Sequence, residues 1–334
     1  MNRLLRPGSL RRTLSAAALA LTTTGAVAQA SAPTPPPPSD FDLQGHRGAR
    51  GLAPENTLPS FQKALDLGVT TLECDMAITK DGVVVIYHDQ WLNPDITRGP
   101  DGTWLDKRGP AIADLTFDEL QRYDVGRIKP GTEYAKTFAE QQPVDGTRIP
   151  RLADLFKLVR ESGNTRVQFD CETKISPLEP GASLPAEAFA RRVIQEIRDG
   201  GMARRTMVQS FDWRTLQVVQ QAAPEIRTLY LTSPRTLARA ADGSASPWLA
   251  GFEPERHGGS VPKAVHAAGG RLWAPNHTFL TPALRAEARA LGIKVIPWTV
   301  NEPAMINKLL DLQVDGIISD RPDVVQTELR KRKP

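Results

Sequence analysis

The chain has 334 residues, 42 Lys+Arg against 38 Asp+Glu, and a formal net charge of +4. An apolar fraction of 40% with 24% charged residues excludes wholesale disorder and a multi-span membrane protein. Two cysteines are too few for a disulfide scaffold or a four-cysteine zinc site.

The positive excess lies at the start of the chain. Arg3, Arg6, Arg11 and Arg12 precede an uncharged run, Thr13 to Gln29, that ends in Ala28-Gln29-Ala30. A basic start, a short apolar run and an A-x-A end predict a secretory signal peptide over residues 1–30. The pair Arg11-Arg12 suits twin-arginine export, while Leu10 just before it suits the Sec route equally. The protein is therefore expected to be periplasmic or secreted, without stable membrane insertion. Those residues hold four Arg and no acid, so removing them from the 42 leaves 38 basic against 38 acidic. A neutral mature chain gives no electrostatic footprint for nucleic acid. Residues 31–40, with Pro33 and Pro35 to Pro38, read as a stiff polyproline spacer. The folded domain is expected over 41–334.

From there strands and helices alternate. Strand-like runs are Leu43–Arg47, Thr71–Met76, Val167–Thr173, Thr206–Phe211, Arg227–Thr232, Arg271–Pro275, Lys294–Val300 and Gly316–Ser319. Helical stretches between them include Thr57–Leu67, Leu152–Glu161, Ala186–Arg198, Trp213–Ala223, Pro282–Leu291 and Pro303–Leu312. Asn56 or Thr57 offers an N-cap, and Gly68, Gly163, Gly200 and Gly292 stand just past helix ends. Eight strands interleaved with helices predict an α/β fold, a (β/α)8 TIM barrel. No glycine-rich dinucleotide loop follows the first strand, which weakens the rival doubly wound sheet.

Residues 79–150, between the second and third barrel strands, are too long for a simple crossover. Asp81-Gly82 between two strand-like runs predicts a β-hairpin. Counting outward from that turn pairs Asp75 with Tyr87 and carries His88 to the side of Asp75. The remainder, rich in Gly, Pro, Asp and Thr, reads as a loop insertion that shapes access to the barrel mouth.

Polar residues gather at the carboxyl ends of the strands, where a barrel does its chemistry. Alternation sends Glu73 and Asp75 to one side of their strand, and Glu172 and Lys174 likewise. Glu73, Asp75 and Glu172 read either as ion-pair partners of Arg47 and Lys174 or as ligands of a hard cation. Three oxygen ligands with no Cys or His among them suit one divalent cation, Ca²⁺ or Mg²⁺. Arg47 and Lys174 beside it suit a phosphate. His46 and His88 read as loop residues or as a general acid/base pair. His257, His266 and His277 lack such company. Trp298 reads as core or as the floor of an apolar substrate group.

The ordered set His46-Arg47-Gly48, Pro54-Glu55-Asn56-Thr57, Glu73-x-Asp75 and His88-Asp89 resembles the glycerophosphodiester phosphodiesterases, TIM barrels of the phospholipase C-like superfamily. Arg148-Ile149-Pro150-x-Leu152, Glu172-x-Lys174, Ser210-Phe211, Trp298-Thr299-Val300-Asn301 and Asp315-Gly316-Ile317-Ile318-Ser319-Asp320 continue the likeness in the family's order. The resemblance implies His46 and His88 as the acid/base pair and Glu73, Asp75 and Glu172 as metal ligands. It implies Arg47 and Lys174 as phosphate contacts, and Phe211 and Trp298 as a clamp on glycerol. It also implies attack by the substrate's own 2-hydroxyl, a cyclic phosphate, and release of sn-glycerol 3-phosphate and an alcohol. Glu55 and Asn56 read first as loop and cap residues. Cys74 and Cys171, inside the carboxylate triplets, are expected to face the helix layer, as a disulfide or as buried thiols. Two other readings stay open. One is a phosphodiesterase acting on lysophospholipids, with Trp91, Trp104 and Phe138 as a candidate apolar rim. The other is a non-catalytic surface-binding module.

Overall fold

Eight parallel strands form the barrel. In chain order the strands are β1 (Asp42–Gly45), β2 (Thr71–Ile78), β3 (Val84–Ile86), β4 (Gln168–Thr173), β5 (Thr206–Ser210), β6 (Arg227–Thr232), β7 (Leu272–Pro275), β8 (Lys294–Val295) and β9 (Gly316–Ser319). They lie in the spatial order β8-β7-β6-β5-β4-β2-β1-β9, with β3 antiparallel on β2. The ring closes between its end strands: Asp315 N donates to Val295 O at 2.9 Å, Ile318 N to Pro297 O at 3.0 Å and Val300 N to Ile318 O at 3.0 Å. This computed structural model describes residues 40–332, and the predicted signal peptide and the spacer through Ser39 lie outside them. No helix among the described residues is long and apolar enough to cross a membrane.

The predicted strand Lys294–Val300 keeps regular pairing only over Lys294–Val295. Pro297 has no N–H for a ladder and serves only as an acceptor. The predicted first strand stops at Gly45, because the chain turns at His46 and Arg47 takes φ +52°. Between β6 and β7, Val261–Ala267 is helical, capped by Ser260, whose hydroxyl accepts from Lys263 N.

Helix Leu58–Leu67 shows how local signals set an element. Thr57, in an extended conformation, accepts from Ser60 N, and Gly68 closes the helix at φ +73°. Its buried side is Ser60, Phe61 and Ala64.

The barrel interior is divided. Met207, Leu229, Leu231, Leu272, Ala274, Ile296 and Ile318 fill one sector. The buried polar groups Gln44, Thr71, Glu73, Asp75, Asp170, Glu172 and Gln209 sit on β1, β2, β4 and β5. Alternate residues of the same strands point outward: Cys74 and Cys171, fully buried, belong to the core shared with the helices. They are register partners on β2 and β4, and they are free thiols with their sulfurs 3.5 Å apart.

The hairpin has the predicted register. Met76 pairs with Ile86 and Ile78 with Val84, and Tyr87 N donates to Asp75 O at 2.9 Å. The insertion closes over its own small core of Tyr87, Leu92, Ile96, Ile112, Leu120, Val125 and Ile149.

Candidate active site

The turn after β1 starts the site. Arg47 holds its positive φ because each backbone polar group has a partner. Its N–H donates to Glu73 Oε2 at 2.7 Å, and its carbonyl accepts from Asn56 N at 3.0 Å and Ser60 Oγ at 2.9 Å. Gly48 follows at φ +86°, where a Cβ would lie 2.5 Å from Ser60 Oγ and 2.6 Å from its backbone carbon. The turn therefore requires glycine and drives residues 46 and 47 over the barrel mouth.

Glu73, Asp75 and Glu172 converge. Each offers one oxygen, and the three lie within 4.8 Å of one another. Gln209 Nε2 donates to Glu73 Oε1 at 2.7 Å, and Asn56 Nδ2 to Asp75 Oδ2 at 2.8 Å. Asp75 Oδ1 is buried with no hydrogen-bond partner. The nearest cations are Arg47 Nε, 3.2 Å from Asp75 Oδ2, and Lys174 Nζ, 2.9 Å from Glu172 Oε1 and 3.8 Å from Asp75 Oδ1.

The charges do not balance. Burial works against the Asp75 carboxylate, yet His88, Arg47 and Lys174 hold it below the usual range. Burial, then Asp75 and Asp170, push Glu73 well up. Burial pushes Glu172 up to about 7 despite Lys174. Two of three carboxyls thus resist ionisation for want of positive charge. An orphaned oxygen, an all-oxygen donor set and repelling carboxyls fit a hard divalent cation.

Each histidine is held by its Nδ1. His46 Nδ1 lies 2.6 Å from Asp320 Oδ1, and His88 Nδ1 lies 2.7 Å from Asp89 Oδ1. A neutral imidazole beside a carboxylate donates through that nitrogen, which leaves Nε2 as the acceptor. Lys174 Nζ, which can only donate, meets His88 Nε2 at 3.0 Å and fixes the same tautomer. His46 Nε2 lies 4.0 Å from Glu73 Oε2. Burial pushes His46 down to about 4 against the pull of Asp320. Burial, Arg47 and Lys174 lower His88.

His46, Arg47, Glu73, His88, Glu172, Lys174, Phe211 and Trp298 all line one cavity of about 170 Å³, and Asp75 lies buried behind it. Phe211 and Trp298 pack edge to face at 5.3 Å, and Trp298 Nε1 donates to Ala274 O at 2.9 Å. All nine predicted site residues are therefore together. His277 is turned to the Trp298 carbonyl at 3.1 Å.

Several partners had no role in the sequence reading. Thr57 is the helix cap, while Asn56 and Glu55 serve the site. Asn56 braces Asp75, and Glu55 Oε1 takes Arg47 Nη1 at 2.7 Å. Tyr134, from the insertion, donates to Glu55 Oε2 and accepts from Arg50 Nη1 at 3.1 Å. Asp320 is held by Arg50 Nε at 2.8 Å and Asn301 Nδ2 at 2.8 Å. Asp320 and Asn301 stood inside the quoted motifs, so a signal existed; Arg50 and Tyr134 had none.

The sequence model of the glycerophosphoryl diester phosphodiesterase family matches residues 46–324. The chain belongs to that family. It is a hydrolase of this type. A glycerophosphodiester phosphodiesterase of Caldanaerobacter subterraneus is 27% identical over 286 residues, covering 86% of this chain and 96% of that protein. A crystal structure from Silicibacter pomeroyi, provisionally assigned to the same family, has 35% identity and a TM-score of 0.78, covering 89% and 95% of the two chains. An Oleispira antarctica phosphodiesterase bound to the product sn-glycerol-3-phosphate has a TM-score of 0.63 at 21% identity, covering 86% and 96%, a likeness of fold.

Proposed function

We propose that this phosphodiesterase hydrolyses glycerophosphodiesters to sn-glycerol 3-phosphate and an alcohol, using a bound divalent cation and the His46–His88 pair. The carrying observation is the joint placement of both imidazoles, Arg47, Lys174 and the carboxylate triad around one cavity. Glu73, Asp75 and Glu172 would hold the cation, which supplies positive charge against the non-bridging phosphate oxygens. Lys174 and Arg47 orient the phosphate by charge-assisted hydrogen bonds. One imidazole Nε2 takes the proton of the attacking hydroxyl. The new P–O bond forms as the bond to the leaving alcohol breaks, and the other imidazole, which enters this step protonated at Nε2, gives that oxygen its proton. Where the attacking group is the substrate's own 2-hydroxyl, water then opens the cyclic phosphate with the two imidazoles in exchanged roles, giving sn-glycerol 3-phosphate. Asp320 and Asp89 hold the imidazoles and stabilise whichever is protonated. Phe211 and Trp298 present an apolar edge for the glycerol carbons.

Lysophospholipid hydrolysis is the second reading, and one observation favours it. Leu178 is 55% exposed on the loop after β4, between the cavity-wall residues Ser176 and Glu179. Of the three aromatic side chains that reading expects at the rim, only Trp91 reaches the cavity wall, and its ring is covered. Arg108 covers the Trp91 ring at 3.1 Å, Arg98 faces Trp104 at 5.6 Å, and Phe138 is buried under Arg50. Glycerophosphocholine and lysophosphatidylcholine, followed side by side by phosphorus NMR, separate the two. The glycerol diester is expected to turn over faster, and a faster lysolipid would reverse the assignment.

We place the reaction outside the cytoplasm on the strength of the N-terminal signal alone. Exported protein beginning at Ser31 supports this; full-length protein retained in the cytoplasm contradicts it.

A further inference from the structure

A second cavity, of about 450 Å³, opens from the first and shares His88, Glu172, Lys174 and Phe211 with it. Its far walls come from three places: Trp91 and Arg108 of the insertion, Glu179 of the loop after β4, and Arg235 with Trp248 beyond β6. A phosphodiester bound at the triad has two substituents. Phe211 and Trp298 floor the inner cavity, so the leaving alcohol projects into the outer one. Its volume falls in the range of sites that enclose whole small molecules.

Every charged side chain on the wall but one has an ion-pair or hydrogen-bond partner. Lys174 meets Glu172 at 2.9 Å, His88 meets Asp89 at 2.7 Å, and Arg108 meets Glu179 at 3.6 Å. Arg235, exposed in the short helix Pro234–Leu237, has no ion-pair or side-chain hydrogen-bond partner among the described residues. The Trp91 face that would stack on an alkylammonium already carries the Arg108 guanidinium.

We propose that this outer cavity is the leaving-group site and selects alcohols that carry a second anionic group, with Arg235 as its principal contact. A phosphate monoester suits a guanidinium better than any neutral head group does, because it accepts two parallel N–H bonds. A trimethylammonium head group would meet the unpaired Arg235 guanidinium and an occupied aromatic face. This inference rests on the phosphodiesterase reading above.

The test compares sn-glycero-3-phosphoglycerol with its 3′-phosphate, two diesters that differ only in the added anion. For the unaltered protein kcat/KM is expected to be about twofold to fivefold higher on the phosphorylated diester, the usual worth of a solvent-exposed ion pair. That ratio should shrink as salt is raised. Arg235→Ala should bring the ratio close to one, and Arg235→Lys should keep part of it. Equal kcat/KM on both diesters would overturn the anion site while leaving the hydrolase reading intact. So would a ratio unchanged in Arg235→Ala, or faster turnover of glycerophosphocholine than of either. Turnover of none would overturn the hydrolase reading and this inference with it.

Discussion

His46 Nδ1 and Asp320 Oδ1 stand 2.6 Å apart although 274 residues separate them in the chain. β1 and β9, the first and last strands of the chain, are paired in parallel register, Gly45 beside Ser319, so the residue after each strand meets the other at the barrel mouth. Asp320 is buried and held below the usual carboxylate range: burial opposes its charge, and His46 and Arg50 outweigh burial. Its charge fixes the His46 tautomer and favours the imidazolium when a proton arrives. Asp320→Asn should lower kcat by about tenfold to ten-thousandfold with little change in KM, the span seen on loss of a histidine's carboxylate partner. A KM effect with kcat unchanged would assign Asp320 to binding instead.

His46→Ala and His88→Ala should each cost about a hundredfold to ten-thousandfold in kcat, the usual share of a positioned acid or base. Circular dichroism and the melting temperature should stay near those of the unaltered protein, since both rings sit at the mouth and outside the packed clusters. Full activity in either variant would remove that histidine from the reaction.

Cation binding should depend on pH with a definite sign. Glu172, pushed up to about 7 from an ordinary 4.5, keeps a proton over that interval in the cation-free fold. A cation must expel it. Below pH 7 the apparent affinity is therefore expected to weaken by at least about tenfold per pH unit, because Glu73, also pushed up by burial, must lose its proton as well. Calorimetric titration with Ca²⁺ and with Mg²⁺ at pH 5.5 and 8 reads this directly. An affinity independent of pH would mean that Glu172 is not a ligand.

Gly48→Ala should destabilise the protein by about 3 kcal/mol or more, because it combines a left-handed backbone with a Cβ driven into Ser60. A melting temperature within a degree of the parent would show that the turn relaxes freely.

The positions legible in the sequence were those governed by local rules. Asp81-Gly82 set the hairpin register, so counting from it placed Tyr87 opposite Asp75 and brought His88 to the mouth. Strand alternation sorted Glu73 and Asp75 inward and Cys74 outward. Arg50 and Tyr134 follow no such rule. Arg50 meets Asp320 only because the first and last strands of the chain pair, and Tyr134 meets Glu55 only because the insertion reaches the turn after β1. The helix that carries Tyr134, Glu133–Thr137, has five residues, too few for a helical period to register.

A triad of Glu73, Asp75 and Glu172 that holds a working cation makes release of glycerol phosphate cation-dependent. The most direct measurement is sn-glycerol 3-phosphate formed from glycerophosphoethanolamine by the purified protein, before chelation, after it, and after Ca²⁺ or Mg²⁺ is restored. Release is expected to stop with the chelator and to return with the cation. Release that continues undiminished after complete chelation, or no release at any cation concentration, would contradict a working cation at the triad.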